Sequence, residues 1–259
     1  MKVMDLPKPN KTIPAVWKCP ICKRPMVEKT IKWIDGESFT VPVLDCKCIQ
    51  DWEEREKLLA RYRMANFPDK FHGENLSDWV EIPGTEEMHR ITKAYLVQLN
   101  QNILQGRGML LAGAVGTGKT KHVVNIQNHA IQLGYSTYYI SSNELNTTIP
   151  KLKKARQGLD DFMHKLINVP LLVYDDFGET VPDKWDEKDS RLIINERYNH
   201  KKATLITTMK NIHELNDEFG GHVTSRMIEM AGPNIAEVKS EYDMRRPANR
   251  RKFQLADGF

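Results

Sequence analysis

Gly113-Ala114-Val115-Gly116-Thr117-Gly118-Lys119-Thr120 is the stretch that decides how this chain folds. It matches G-x-x-x-x-G-K-[ST], a loop that wraps phosphates when it joins a strand to a helix. Both neighbours are present. Gly108-Met109-Leu110-Leu111-Ala112 reads as a short buried strand, and residues 119–133 read as a helix closed by Gly134. Gly113, Gly116 and Gly118 let backbone N–H groups turn inward without a Cβ in the way. Lys119 brings a compact positive charge to the β- and γ-phosphates of ATP, and the Thr120 hydroxyl is placed to ligate Mg2+. The start of the helix adds its positive dipole end. Ala114, Val115 and Thr117 complete the expected set of nucleotide contacts.

A phosphate loop needs an acidic partner at the end of another buried strand. Leu171-Leu172-Val173-Tyr174-Asp175-Asp176-Phe177-Gly178 provides one. Asp175 is expected to hold the magnesium, directly or through water, and Asp176 to orient or deprotonate the attacking water. Alone, the pair would read as a solvated turn; behind a complete phosphate loop it reads as half of a catalytic site.

Outward from these motifs, helix and strand alternate. Residues 86–104 predict one helix with apolar Ile91, Tyr95, Leu96, Leu99 and Ile103, and residues 136–140 and 203–208 predict further strands. Such alternation with apolar strands implies an α/β fold, a parallel sheet flanked by helices.

The beginning of the chain has another character. Residues 30–34 and 38–43 predict two short strands around Asp35-Gly36, residues 51–63 a charged helix, and residues 67–84 a linker. All four cysteines lie here, as Cys19-Pro20-Ile21-Cys22 and Cys46-Lys47-Cys48. Four thiolates on two knuckles suit a closed, structural Zn2+ site that staples a small domain. Free buried thiols and a redox pair are the other readings.

Totals exclude little. With 259 residues, 40% of them hydrophobic, the chain is long enough for one sizeable domain and a smaller one. No apolar stretch approaches the ~20 residues of a membrane span, and the first residues lack the apolar core of a signal peptide. A cytoplasmic protein without a membrane partner is expected. Net charge is only +4, from 38 basic and 34 acidic residues, so any nucleic-acid contact must rest on clusters. Residues 149–158 and 245–253 are such clusters, and each reads equally as a DNA-phosphate contact or a solvated surface.

From about residue 63 to 253 the chain resembles the AAA+ ATPases of the bacterial and phage helicase-loader group, the DnaC/DnaI type, with the transposition helper IstB as a near relative. The resemblance is carried by the phosphate loop, Asp175-Asp176, Thr204-Leu205-Ile206-Thr207-Thr208 and Gly221-His222-Val223-Thr224-Ser225-Arg226-Met227-Ile228. It implies that Arg226 is an arginine finger reaching a neighbouring subunit's ATP; a helix-surface ion pair is the plainer reading. It also implies that Arg245, with Arg246 as rival, senses the γ-phosphate. A polar sensor normally follows the 204–208 strand, but Met209 stands there; Thr208 is the candidate substitute, or the sensor is absent. Many relatives carry Glu where this chain has Asp176, whose shorter reach implies slow hydrolysis.

DnaI-type loaders pair such an ATPase with a small zinc-bearing domain that grips the replicative helicase. The resemblance therefore implies a helicase-binding zinc domain at 1–50, a connecting helix and linker at 51–84, and an AAA+ domain at 85–259. The implied function is ATP-dependent loading of a hexameric DnaB-type replicative helicase onto single-stranded DNA, with self-association in the ATP state and release on hydrolysis. An IstB-type helper binding duplex DNA is the alternative, against which the cysteine module counts. A small-molecule kinase would need an acceptor lid and a base that the sequence does not offer.

Overall fold

The computed structural model describes residues 27–32, 38–43, 48–71, 82–179 and 184–252. Contacts divide the chain into two units, Met1–Leu59 and Ala60–Phe259. In the first unit β1 (Val27–Lys32) pairs antiparallel with β2 (Ser38–Val43), Val27 opposite Val43 and Lys32 opposite Ser38. The first strand thus begins three residues before the stretch expected from its β-branched residues. Cys19, Cys22 and Cys46 lie outside the described residues, and Cys48 opens helix α1 (Cys48–Met64), so the zinc expectation lies outside them too.

In the second unit α2 (Glu86–Val97) and α3 (Leu99–Leu104) stand where the apolar spacing predicts a single helix. The break falls at Gln98, whose φ of −106° and ψ of 20° leave the helical region. Asn102 accounts for part of it: its side-chain amide donates to the Tyr95 carbonyl at 3.2 Å. The apolar stripe survives the break, and Ile91, Tyr95, Leu99 and Ile103 are all buried.

Then follow β3 (Met109–Gly113), α4 (Lys119–Gln132), β4 (Thr137–Ser141), α5 (Ser142–Ala155), α6 (Leu159–Asn168) and β5 (Leu171–Asp175). The remainder is α7 (Lys184–Asn199), β6 (Ala203–Thr208), α8 (Ile212–Phe219), α9 (Gly221–Ala231), β7 (Ile235–Val238) and α10 (Pro247–Lys252). Five strands form one sheet in the order β4-β5-β6-β3-β7, every pair parallel. β7, which the sequence did not predict, has only four residues, too few for a period-two pattern to register.

Strand alternation sorts the core into two layers. Leu111, Val173, Leu205 and Val238 face one side with Ile91 of α2 and Val123 and Ile126 of α4. Leu110, Tyr174, Ile206 and Ile140 face the other with Leu145 of α5, Ile193 of α7, Leu215 of α8 and Met227 of α9. Crossover handedness explains the split. The connection leaving β3 runs to the far edge at β4, whereas those leaving β4, β5 and β6 run the opposite way along the sheet. Right-handed crossovers of opposite direction cover opposite faces, so α4 stands apart from α5–α9.

Arg197 pins the second layer. Fully buried, its guanidinium donates to the carbonyls of Leu166, Ile167, Val169 and Ala203 and to the Thr204 hydroxyl. It thereby satisfies carbonyls at the end of α6 that the helix itself leaves unpaired. Burial pushes its pKa down to about 9. Among the described residues no helix is long and apolar enough to cross a membrane.

Candidate nucleotide site

The sheet order places β6 between β3, which feeds the phosphate loop, and β5, which ends in Asp175. The C-terminal ends of these strands therefore meet on one edge, where open α/β sheets bind their ligands. Gly113 and Gly116 hold φ values of +112° and +73°. A Cβ on Gly113 would collide with the Val238 carbonyl, and one on Gly116 with Asp243, so both positions need glycine for space as well as conformation.

Lys119 is buried at the start of α4 and donates to the carbonyls of Gly113 (2.6 Å) and Ala114 (2.7 Å). Burial holds its pKa below the usual lysine value, opposed by the carboxylates of Asp176, Glu179 and Asp175. Thr117 closes the turn by donating to Ala114 O at 3.0 Å. One turn into α4, His122 sets its Nδ1 2.9 Å from the Gly118 carbonyl, which calls for a proton on that nitrogen, and packs edge-on against His89.

Asp175 is 2% exposed, and three hydroxyls converge on it. Thr120 donates at 3.0 and 3.1 Å to its two oxygens, Thr207 at 2.5 Å to Oδ1, and Tyr139 at 2.7 Å to Oδ2. Among the described residues this carboxylate makes hydroxyl contacts and no salt bridge. A buried anion with neutral partners and an adjacent threonine hydroxyl is a fitting oxygen donor set for a hard cation such as magnesium. Among the described residues no group of three or more His, Cys, Asp or Glu could hold a metal alone. A cation here would complete its shell with phosphate and water, as magnesium ordinarily does.

Asp176 follows in a left-handed conformation, φ +52°, with its N–H donated to the Thr207 hydroxyl at 2.9 Å. Such a backbone is strained for a residue with a Cβ and turns the side chain away from the direction the strand would give it. The residue is largely open to solvent, but the loss of water around its carboxyl, followed by the charge of Asp175, pushes its pKa up, while Lys119, Lys70 and Arg245 pull it down. The last two residues of β6, Thr207 and Thr208, are fully buried, but alternation sends them to opposite faces. Thr207 meets the two aspartates; Thr208 donates to Phe177 O at 2.8 Å and accepts the Lys210 N–H at 3.1 Å. Met209 is 45% exposed, and its N–H is taken by Glu179 Oε1 at 2.5 Å.

The segment 240–246 lies on the phosphate loop. Met244 donates its N–H to Gly116 O at 2.9 Å, and Asp243 accepts from the N–H and Nε of Arg245 at 3.0 and 3.2 Å. Arg246 reaches only the other Asp243 oxygen, at 3.9 Å. Arg245, by contrast, is felt electrostatically by both Lys119 and Asp176. Arg226 stands elsewhere. On α9 it donates to Asn195 Oδ1 at 2.5 Å and lies over the Tyr198 ring, with no contact to the phosphate loop of its own chain. Lys151, Lys154 and Arg156 are exposed at the end of α5, where Lys153 pairs with Asp189 at 2.9 Å. Tyr139, Thr207, Glu179 and Asp243 join the site without having been foreseen. Only Thr207 carried a signal, since strand alternation puts it, and not Thr208, on the α4 side.

Residues 50–230 match the family described as IstB-like ATP binding protein. The replicative helicase loader DnaC of Escherichia coli strain K12 is 26% identical over 151 residues, 57% of this chain and 60% of the loader's own length. An ATP-binding protein of insertion sequence IS21 from Pseudomonas aeruginosa is 22% identical over 183 residues, covering 69% of this chain and 66% of its own. Among solved structures, the crystal structure of the DnaC helicase loader superposes with a TM-score of 0.59 at 23% identity, covering 66% of this chain and 99% of that one. At such identity the superposition speaks for the fold, and it agrees with the AAA+ arrangement of parallel sheet and flanking helices expected from the sequence. The family model points to the IstB group, the sequence relatives to DnaC and the IS21 proteins, and the structural match to DnaC.

Proposed function

The chain belongs to the IstB-like ATP binding protein family, and from that premise we propose that it is a magnesium-dependent ATPase used as a slow switch in helicase loading. The observation that carries the reading is the meeting of Lys119, Thr120 and Asp175 with Asp176 at one edge of the sheet. On ATP binding, Lys119 would leave the Gly113 and Ala114 carbonyls for phosphate oxygens, a charge-assisted exchange. Magnesium held by Thr120 and Asp175 would neutralise charge on the β- and γ-phosphates. Asp176 would take a proton from the attacking water, and the raised pKa that burial gives it makes it a stronger base. Arg245 would reach the γ-phosphate from within the same chain. Arg226, held by Asn195 and Tyr198, would serve a neighbour's loop, which ties hydrolysis to self-association.

In this reading the partner is a hexameric replicative helicase of DnaB type, gripped by a zinc-stapled module at residues 1–50 and placed on single-stranded DNA. Residues 51–84 connect that module to the ATPase at 85–259. The exposed basic end of α5 is the segment offered to the DNA backbone. Similarity to DnaC and the two cysteine knuckles support this. The IS21 relative, matched over more of the chain, favours a second reading as a transposition helper on duplex DNA.

Affinity capture from lysate in ATP and in ADP separates them. Recovery of a replicative helicase that depends on ATP supports loading. ATP-dependent retention on duplex DNA with no helicase recovered supports the helper.

A further inference from the structure

β4 is an edge strand, yet Tyr139 within it is held on both sides. Its partner strand lies on one side. On the other, Tyr139 N–H donates to Ala65 O at 2.9 Å and the Asn66 side-chain amide donates to Tyr139 O at 2.9 Å. Alternation gives the neighbouring tyrosines different surroundings. Tyr138 belongs to the α5–α9 layer, where Lys165 lies over its ring at 4.1 Å; Tyr139 packs its ring on the α4 layer. From there the hydroxyl reaches Asp175 Oδ2 at 2.7 Å, across a pair of strands in which Asp175 stands opposite Ser141.

The carboxylate therefore has a donor fixed on each oxygen: Thr207 on Oδ1, Tyr139 on Oδ2. Thr120 spans both oxygens and is the one hydroxyl of the three on the phosphate-loop helix. A cation at the site would be held by the Thr120 hydroxyl together with Asp175, so the Thr120–Asp175 bond is the one that would be given up. Thr207 and Tyr139 stay. Two fixed donors at opposite ends of a carboxylate leave it one orientation, and donors to a ligating carboxylate ordinarily set its aim and strength.

We propose that Tyr139 is a positioning residue of the nucleotide site, whose hydroxyl sets the orientation in which Asp175 meets magnesium. This rests on the magnesium–ATP reading of the site given above. The residue acts through Asp175 and touches neither the phosphates nor the water.

The test is a magnesium titration of the affinity for a fluorescent ATP analogue, with the full chain as wild type, Tyr139→Phe and Asp175→Asn. Tyr139→Phe keeps the ring and removes only the hydroxyl. Its magnesium midpoint is expected to rise about tenfold, a typical effect of losing a donor to a metal ligand. Its affinity measured in EDTA, and its thermal midpoint, should stay close to wild type. An unchanged magnesium midpoint overturns the proposal. So does a loss of affinity equal with and without magnesium, which would place Tyr139's effect on the loop. If wild type itself binds the analogue indifferently to magnesium, and Asp175→Asn changes nothing, the magnesium–ATP reading fails first. Asp175→Asn losing the magnesium dependence while Tyr139→Phe keeps the wild-type midpoint would leave that reading intact and sink this one.

Discussion

Thr207 joins the two aspartates of the site with a single hydroxyl: it donates to Asp175 Oδ1 at 2.5 Å and accepts the N–H of Asp176 at 2.9 Å. Being both donor and acceptor, it fixes the carboxylate that would hold the metal and the strained backbone of the residue that would address the water. Thr207→Val, which keeps shape and loses the hydroxyl, should lower steady-state ATP hydrolysis about 10- to 100-fold. Thr207→Ser should recover most of it. Equal hydrolysis in all three proteins would show that the hydroxyl has no part in the reaction.

Arg197 gives a stability prediction independent of nucleotide. Arg197→Met leaves the Leu166, Ile167, Val169 and Ala203 carbonyls without this donor in a buried setting. The expected loss is about 3–5 kcal/mol in urea denaturation. Arg197→Lys should recover only part, because an ammonium cannot span the same acceptors as a guanidinium fork.

His122 gives a pH dependence. Burial pushes its pKa down from 6.5 to about 3, with the Gly118 carbonyl opposing and the neighbouring His89 and Lys121 adding to the shift. Below pH 6.5 the unfolded chain takes up a proton that the native ring refuses. Stability contributed by this group is therefore present above 6.5 and lost as pH falls towards about 3. The slope it adds is at most about 1.4 kcal/mol per pH unit. His122→Gln should flatten the fall in denaturation free energy between about pH 7 and about pH 5, whatever the substitution does to stability at neutral pH.

Arg226 bears on assembly. On α9 it is held by Asn195 and Tyr198 of α7, and among the described residues it makes no contact with its own phosphate loop. Arg226→Ala should keep ATP affinity and lose the hydrolysis stimulated by self-association, by as much as about a thousandfold. Mixing Arg226→Ala with Lys119→Ala subunits should restore activity, since one supplies an intact loop and the other an intact finger. No recovery on mixing would place the finger elsewhere.

How much of this was legible in the sequence depends on the range of the interaction. The phosphate loop was fully legible because its parts are contiguous and the strand and helix around it are strongly patterned. Asp175 was legible because a wholly apolar strand ends in it. Tyr139 was not, since its hydroxyl meets a carboxylate 36 residues away and nothing in Thr-Tyr-Tyr-Ile-Ser marks that pairing. Thr207 and Thr208 are chemically identical neighbours; only knowing that α4 covers the Leu205 face tells which one looks at the aspartates. The break at Gln98 was hidden because the apolar spacing runs through it unchanged, and the bond between Asn102 and Tyr95 that accompanies it is one periodicity does not see. β7 is too short to show alternation at all.

In the function proposed above, nucleotide in the loop at Gly113–Thr120 controls what the chain assembles with. Its most direct test is sedimentation of wild type and Lys119→Ala, each mixed with a hexameric replicative helicase in ATP or in ADP. Lys119→Ala should bind an ATP analogue about 10- to 100-fold more weakly, from losing a charge-assisted contact. Wild type in ATP should therefore form the heavier assembly, and neither wild type in ADP nor the variant in ATP should do so. Sedimentation that is the same for both proteins in both nucleotides would contradict the claim.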